Sequence, residues 1–346
     1  MKKGLITVVA LLMITIVAAC GGESGSTDNQ SDSGNNGGGS GDSEQTFKFT
    51  SGHTTSVENQ QHVGLVALAE LLEEKSGGSI TMDVFENSQL GSEPVMLQAV
   101  QDGSQHIVAT SSTSVSNFIP EWGIFDIPFL FESTEQADEI VRGEVGDRLF
   151  ETLPEHGYKG LAWLSSIERN IYGTKKIESV DDFKTATLRS IEAPGFVETF
   201  TTLGAQVVTM PGSELYTALQ QGVVEGGDNS PELFLGLGHD EVSDYYNLTK
   251  IHYLPIAIIM SLDTWEALTP EQQDMVMAAA QEAAETGSAA YAQSYEESFI
   301  EMEELGVEVV NTDLTGIVEA TKHLKEEMAN NIPSGMELLE LIESNK

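Results

Sequence analysis

The segment from Thr187 to Pro231, TLRSIEAPGFVETFTTLGAQVVTMPGSELYTALQQGVVEGGDNSP, alternates strand and helix signals so regularly that few folds can accommodate it. Ala186 to Arg189 reads as a short strand. Pro194 and Gly204 bracket a helix, with proline where a missing N–H is harmless and glycine just past the end, where left-handed backbone is needed. Gln206 to Thr209 reads as a second strand. Ser213 reads as a cap for a helix through Leu215, Ala218 and Leu219 that stops at Gly222. Val223 and Val224 lead to Asn229, and Ser230-Pro231 opens another helix. Arg189 and Asn229 therefore both fall at strand-to-helix transitions, the edge at which open α/β sheets bind ligands.

The same alternation fills the N-terminal half. A strand around Phe47 to Thr50 precedes a helical apolar face at Val63, Val66, Leu68 and Leu72 that stops at Gly77-Gly78; Ile80, Met82 and Val84 then alternate as a strand. Ser92 and Pro94 start a helix that ends at Gly103 and leads to the strand Ile107 to Thr110. This order predicts an α/β fold of two lobes, divided near Ser166, each with a mainly parallel sheet covered by helices. A length of 346 residues suffices for both. Thr269-Pro270-Glu271-Gln272 is a capping-box start, and helical character persists to about Leu305, with Gly287 as a site of break or bend. Such a helix, roughly 50 Å long, exceeds one lobe and is expected to span both. A strand at 306–310 and a charged helix at 314–330 follow. The lobes are thus expected to interleave, with 46–166 and 251–293 in the first and 167–250 and 294–346 in the second.

The ends carry other information. Lys2 and Lys3 precede an apolar run from Leu5 to Val17, and Val17-Ala18-Ala19-Cys20 reads as a small-residue cleavage site. Residues 1–20 are similar to a bacterial lipoprotein signal, in which Cys20 takes the lipid; a transmembrane anchor is the competing reading, and in both the folded part faces outward. Residues 21–45, rich in Gly, Ser, Asp and Asn, read as a flexible tether. Cys20 is the only cysteine, so no disulfide framework is available. Fifty-five acidic against sixteen basic residues give a formal charge of −39, which excludes nucleic-acid binding through phosphate contacts.

LRS at 188–190, LGAQVVTMPGSELYTALQQGVVEGGDNSP at 203–231, and FENSQLGSE, LQAVQDGS and FDIPFLFES upstream resemble, in order, the solute-binding proteins of tripartite ATP-independent periplasmic (TRAP) transporters, the dicarboxylate-binding family. The resemblance implies a periplasmic-binding-protein-like fold with interleaved lobes, a hinge and a long helix across both. It also implies an extracytoplasmic receptor that binds a small organic anion in the interlobe cleft and delivers it to a TRAP membrane permease. Its expected location is the outer face of the cytoplasmic membrane, lipid-anchored, or the periplasm.

Four arginines occur: Arg142, Arg148, Arg169 and Arg189. The first two lie among acidic residues of a polar helix, where exposed ion pairs are the natural explanation. Arg169 and Arg189 belong to strand-like sequence, where an arginine is costly to bury unless a carboxylate answers it, and its planar fork suits a carboxylate. The resemblance assigns Arg189 the clamp on the ligand carboxylate, against a structural pair with Glu192 or Asp182. It assigns Arg169 a second contact, against a pair with Glu168. Asn229 matches the family's ligand-facing asparagine, against a plain turn role. Glu192 is a candidate acceptor from a ligand hydroxyl or amine. His53, Glu58 and Glu93 are candidate first-lobe contacts, and Trp163, Phe125 and Phe129 are expected in the core or hinge. No metal-ligand spacing occurs among the histidines, and the Glu-Trp pair of metal-using relatives is missing, so no metal and no cofactor are expected. The expected ligand is a C4-dicarboxylate or sugar acid, with an ectoine-type zwitterion as the alternative. An extracellular enzyme would need a nucleophile elbow, an acid–base pair or a metal cluster, none of which is visible; a sensory receptor is the third reading.

Overall fold

The computed structural model describes residues 46–346; the predicted signal, Cys20 and the tether lie outside the described residues. Eleven strands form two sheets: β1 (Phe47–Gly52), β2 (Ile80–Phe85), β3 (Ile107–Ser111), β4 (Tyr158–Trp163), β5 (Ile167–Gly173), β6 (Thr187–Ser190), β7 (Gln206–Thr209), β8 (Gly226–Asn229), β9 (Tyr245–Leu254), β10 (Ile256–Ser261) and β11 (Glu308–Val310). The first sheet has the order β2-β1-β3-β10-β4 and the second β11-β9-β5-β8-β6-β7. Each is the floor of one lobe of a hinged α/β fold.

Each sheet contains one strand running against its neighbours. β10 is antiparallel to β3 and β4, and β5 is antiparallel to β8 and β9. The expected mainly parallel sheets are therefore mixed, for a simple reason. The chain passes from β4 into β5, and from β9 into β10, through one to three residues with no helix between. A strand that leaves one sheet at its C-terminal edge and enters the next directly must enter at the edge where the other strands end, and so runs opposite to them. The two crossings also bring the C-terminal edges of the remaining strands together across the cleft, where loops and helix starts are free to carry a site.

The helix Pro270–Leu305 runs unbroken for 36 residues, with the capping box at Thr269 formed. Gly287 does not break it. A Cβ there would stand 2.7 Å from the Gln60 carbonyl and 2.7 Å from Leu164, so the missing side chain lets helix Gln60–Lys75 lie against the long helix. Helix Gly212–Gln220 starts one residue ahead of the expected Ser213 cap, after Pro211. The charged segment after β11 is two helices, Thr315–Thr321 and Leu324–Asn331, followed by Gly335–Ser344. Residues 324–342, expected with the second lobe, bury Leu324, Met328, Leu338, Leu339 and Ile342 in the cluster that holds Met96, Val108, Trp122 and Phe125 of the first. Trp163 belongs to that cluster, stacked on Phe150 with ring centres 4.6 Å apart.

Candidate functional site

A cavity of about 330 Å³ lies between the sheet edges. Arg169, Arg189, Asn229, Glu192 and Glu93 all line it, so five of the seven candidate ligand contacts are brought together. His53 is not among the lining residues. It is fully buried, with Nδ1 3.0 Å from the Thr55 hydroxyl and Nε2 3.0 Å from Nδ1 of His62. Burial, helped by His62, pushes its pKa down to about 3, so it is a neutral packing residue with both ring nitrogens engaged. Its neighbours Thr54 and Thr55 reach the cavity instead. Glu58 is exposed and outside the lining.

The two arginines are almost equally buried, at 4 % and 6 % exposure, but they are not equally paired. Arg169, near the start of β5, donates from Nε to Asp228 Oδ2 at 2.7 Å, from Nη1 to Asn229 Oδ1 at 3.0 Å, and from Nη2 to the Asp228 carbonyl. Burial pulls the guanidinium pKa down, but the charge and hydrogen bond of Asp228 outweigh it and leave it above the ordinary arginine value. Asp228 shows the mirror image. Burial raises its carboxyl and Arg169 more than reverses the effect, holding it below the usual carboxylate range. Glu168, the competing partner for Arg169, cannot serve, because successive strand residues point to opposite faces. It accepts instead from Tyr253 at 3.1 Å and Tyr295 at 2.9 Å, with Lys250 at 3.2 Å.

Arg189, at the end of β6, donates from Nε to the Met210 carbonyl at 2.9 Å and has no carboxylate partner among the described residues. Neither expected partner reaches it: Asp182 closes a capping box with Ser179, and Glu192 is exposed at the cavity rim. Burial accordingly lowers its pKa, an effect that the charge of Asp228 opposes without reversing. A guanidinium carries five N–H donors, so four on Arg189 and two on Arg169 remain unspent. Gly212, at the start of helix Gly212–Gln220, lies beside Arg189; a Cβ there would be 3.8 Å from Nη2. The helix start adds its own positive potential at the same wall. The second lobe thus presents a buried guanidinium that has no ion-pair partner among the described residues.

The opposite wall is uncharged or acidic. Thr54, Thr55, Ser88, Ser92, Ser111, Ser114, Gln61, Asn87 and Asn117 face the cavity there. Glu93, half-buried at a helix start, accepts through Oε2 from the Ser111 hydroxyl at 2.6 Å and from the Ser114 hydroxyl. Asn87 and Ser88 take left-handed backbone, φ 50° and 59°, which holds this loop in an uncommon shape against the cavity. Sequence reasoning missed this hydroxyl and amide wall and Asp228. For Asp228 a signal existed: an acid inside the short strand GGDN needs a cation nearby, and only two strand arginines occur in the chain.

Residues 51–331 match the model of the bacterial extracellular solute-binding proteins, family 7 (DctP). The chain is 31% identical over 278 residues to an uncharacterised protein, YiiZ, of Salmonella typhimurium, covering 79% of this chain and 85% of that one. It is 26% identical over 302 residues to the 2,3-diketo-L-gulonate-binding periplasmic protein YiaO of Escherichia coli, covering 86% and 92%. Its fold superposes with a TM-score of 0.83 and 26% identity on a TRAP periplasmic solute-binding protein from Anaerococcus prevotii with bound D-glucuronate, covering 87% of this chain and 98% of that one. With its two mixed sheets, bridging helix and cleft, the chain belongs to the DctP-type solute-binding proteins of TRAP transporters, non-catalytic extracytoplasmic receptors for small organic acids.

Proposed function

We propose that this receptor binds a monoanionic, polyhydroxylated acid of the uronate or aldonate class, and that Arg189 clamps its carboxylate. The observation that carries the reading is the buried Arg189 guanidinium, without a carboxylate ion-pair partner among the described residues, on a cavity whose other polar lining is Arg169, hydroxyls, amides and two acids, beside apolar residues such as Ile167, Leu233 and Leu254. A buried unpaired charge is costly, and a ligand carboxylate in two parallel hydrogen bonds removes that cost. Arg169 and Asn229 add donors beside it. Sugar hydroxyls suit the Ser, Thr, Asn and Gln side chains of the first lobe, with Glu93 as an acceptor and Glu192 at the rim. A second ligand carboxylate would face Glu93, which favours sugar acids over C4-dicarboxylates. The D-glucuronate of the Anaerococcus protein and the diketogulonate of YiaO have this chemistry.

In this reading the acid docks on the arginine wall of the second lobe, and the first lobe closes over its hydroxyls. A TRAP permease then takes the ligand from the closed form. Lipid on Cys20 tethers the receptor to the outer membrane face through the 21–45 segment. The lobes are 46–166 with 251–293 and 167–250 with 294–321, the remaining C-terminal helices riding on the first. Isothermal titration with D-glucuronate, D-galacturonate and D-galactonate, against succinate, malate and ectoine, tests the ligand class. A sugar acid binding at least about tenfold tighter than succinate and malate supports it; preference for either C4 acid or for ectoine overturns it.

A further inference from the structure

We propose that Asp228 sets how many negative charges the ligand may carry: by holding Arg169 in a closed ion pair it leaves Arg189 as the one unbalanced cation of the cavity. The inference rests on the monoanion reading above and explains what enforces it. Asp228 itself does not line the cavity; it acts through Arg169, which does.

The geometry is specific to this pair. Asp228 is 2 % exposed, reaches Arg169 Nε at 2.7 Å with one carboxylate oxygen, and receives Nη2 on its own backbone carbonyl. Both contacts follow from register, because β5 and β8 are antiparallel neighbours with Asn170 opposite Asn229. The second oxygen, Oδ1, is buried without a hydrogen-bond partner among the described residues, so the side chain's one hydrogen-bonded partner is the Arg169 guanidinium, while its charge also reaches Arg189. Asp228 is thus a full negative charge placed behind a cavity-facing cation, out of the ligand's reach. If it were neutral, two buried guanidiniums would stand on the same wall with no internal counter-charge. That wall would accept a second carboxylate on the ligand. With Asp228 ionised, a dianion meets one net positive charge and the two acids Glu93 and Glu192. At separations of several ångströms and an effective dielectric near 20, one charge more or less on the wall changes discrimination by about tenfold or more.

The test compares D-gluconate with D-glucarate, and D-glucuronate with D-glucarate, so that within each pair one end of the same six-carbon skeleton gains a carboxylate. In the wild type the monoacids should bind tighter. Asp228→Asn keeps an oxygen for Arg169 Nε while removing the charge, and the diacid-to-monoacid affinity ratio should rise at least about tenfold. Replacing both partners, Arg169→Met with Asp228→Leu, removes a neutral pair; affinity for both acids should fall while their ratio stays within about threefold of the wild type. This second variant decides the matter if Asp228→Asn does not fold. A wild type that prefers the diacid overturns the monoanion reading itself. A wild type that prefers the monoacid, with a ratio unmoved in Asp228→Asn or moved tenfold in the double variant, overturns the role of Asp228 and leaves the reading standing.

Discussion

Methionine at Arg189 and methionine at Arg169 should have opposite effects on the ligand-free protein, although both residues are buried on the same wall. In Arg189→Met the loss to the folded protein is one hydrogen bond, from Nε to the Met210 carbonyl at 2.9 Å, worth about 1–3 kcal/mol if the carbonyl is left unsatisfied. Against this stands the removal of a buried charge with no answering carboxylate among the described residues, whose desolvation costs several kcal/mol. The ligand-free variant should therefore be as stable as the wild type or more so. Binding should suffer, since two charge-assisted hydrogen bonds at about 1.5–3 kcal/mol each amount to a loss of at least about 100-fold. Arg169→Met instead strands Asp228, a buried carboxylate paired with nothing else, at a cost of about 3–5 kcal/mol. At about 2 °C per kcal/mol for a chain of this length, its melting temperature should fall by roughly 6–10 °C. Scanning calorimetry without ligand and titration with the preferred acid read both effects. A lower melting temperature for Arg189→Met, or binding within threefold of wild type, would refute the assignment of Arg189 as the unpaired clamp.

Two further outcomes follow from packing and burial. Gly287→Val puts atoms 2.7 Å from the Gln60 carbonyl and Leu164 and 3.2 Å from the Gly64 backbone, and should cost about 3 kcal/mol in urea unfolding; Gly222→Ala, in open space at φ 67°, should cost only about 1–2 kcal/mol. Asp126 is buried, accepts from the Thr113 hydroxyl at 2.6 Å, and burial pushes its pKa up to about 7. Its raised value means that the native state holds a proton the unfolded chain has lost, so its contribution is full below about pH 4 and disappears as pH rises through 7. Asp126→Asn removes this dependence, so the stability of the variant relative to wild type should increase from pH 5 to pH 8 in parallel denaturant titrations; a constant difference contradicts the assignment.

The sequence made the β/α rhythm legible because its punctuation is local. Proline at 194, glycine at 204 and 222 and the capping box at 269 each fix backbone within a few residues, and the elements stop there or within one or two residues. Strand direction is not local, so the reversal of β5 and β10 was invisible until the two short crossings were placed between sheets. The amphipathic C-terminal helices announce a buried face but not the lobe that covers it. Among site residues, Arg189 stood out because a strand arginine needs an anion. The serines and threonines of the first lobe did not, since such residues are ordinary in any turn. His53 looked like a contact from its position after a strand, and its engagement with Thr55 and His62 depended on side-chain placement that spacing does not encode.

The crossings also explain why the anion site belongs to the second lobe. Asp138 of the first lobe accepts from the Ser165 hydroxyl and from the Ser166 N–H at 2.6 Å, and Glu168 ties β5 to β9 and to the long helix through Tyr253 and Tyr295. These buried carboxylates hold the chain on either side of Ser166. Arg169 and Asp228 lie on neighbouring strands just past that point, so that both partners of the ion pair belong to one sheet. Arg189 sits one strand further on, beside β8. In the proposed reading the carboxylate is held by one lobe, while Ser111, Ser114 and Glu93 of the other meet the rest of the ligand. On that reading, affinity for the acid group and sensitivity to the rest of the molecule are divided between the lobes, and a ligand favours the closed form only through contacts that the closed form adds.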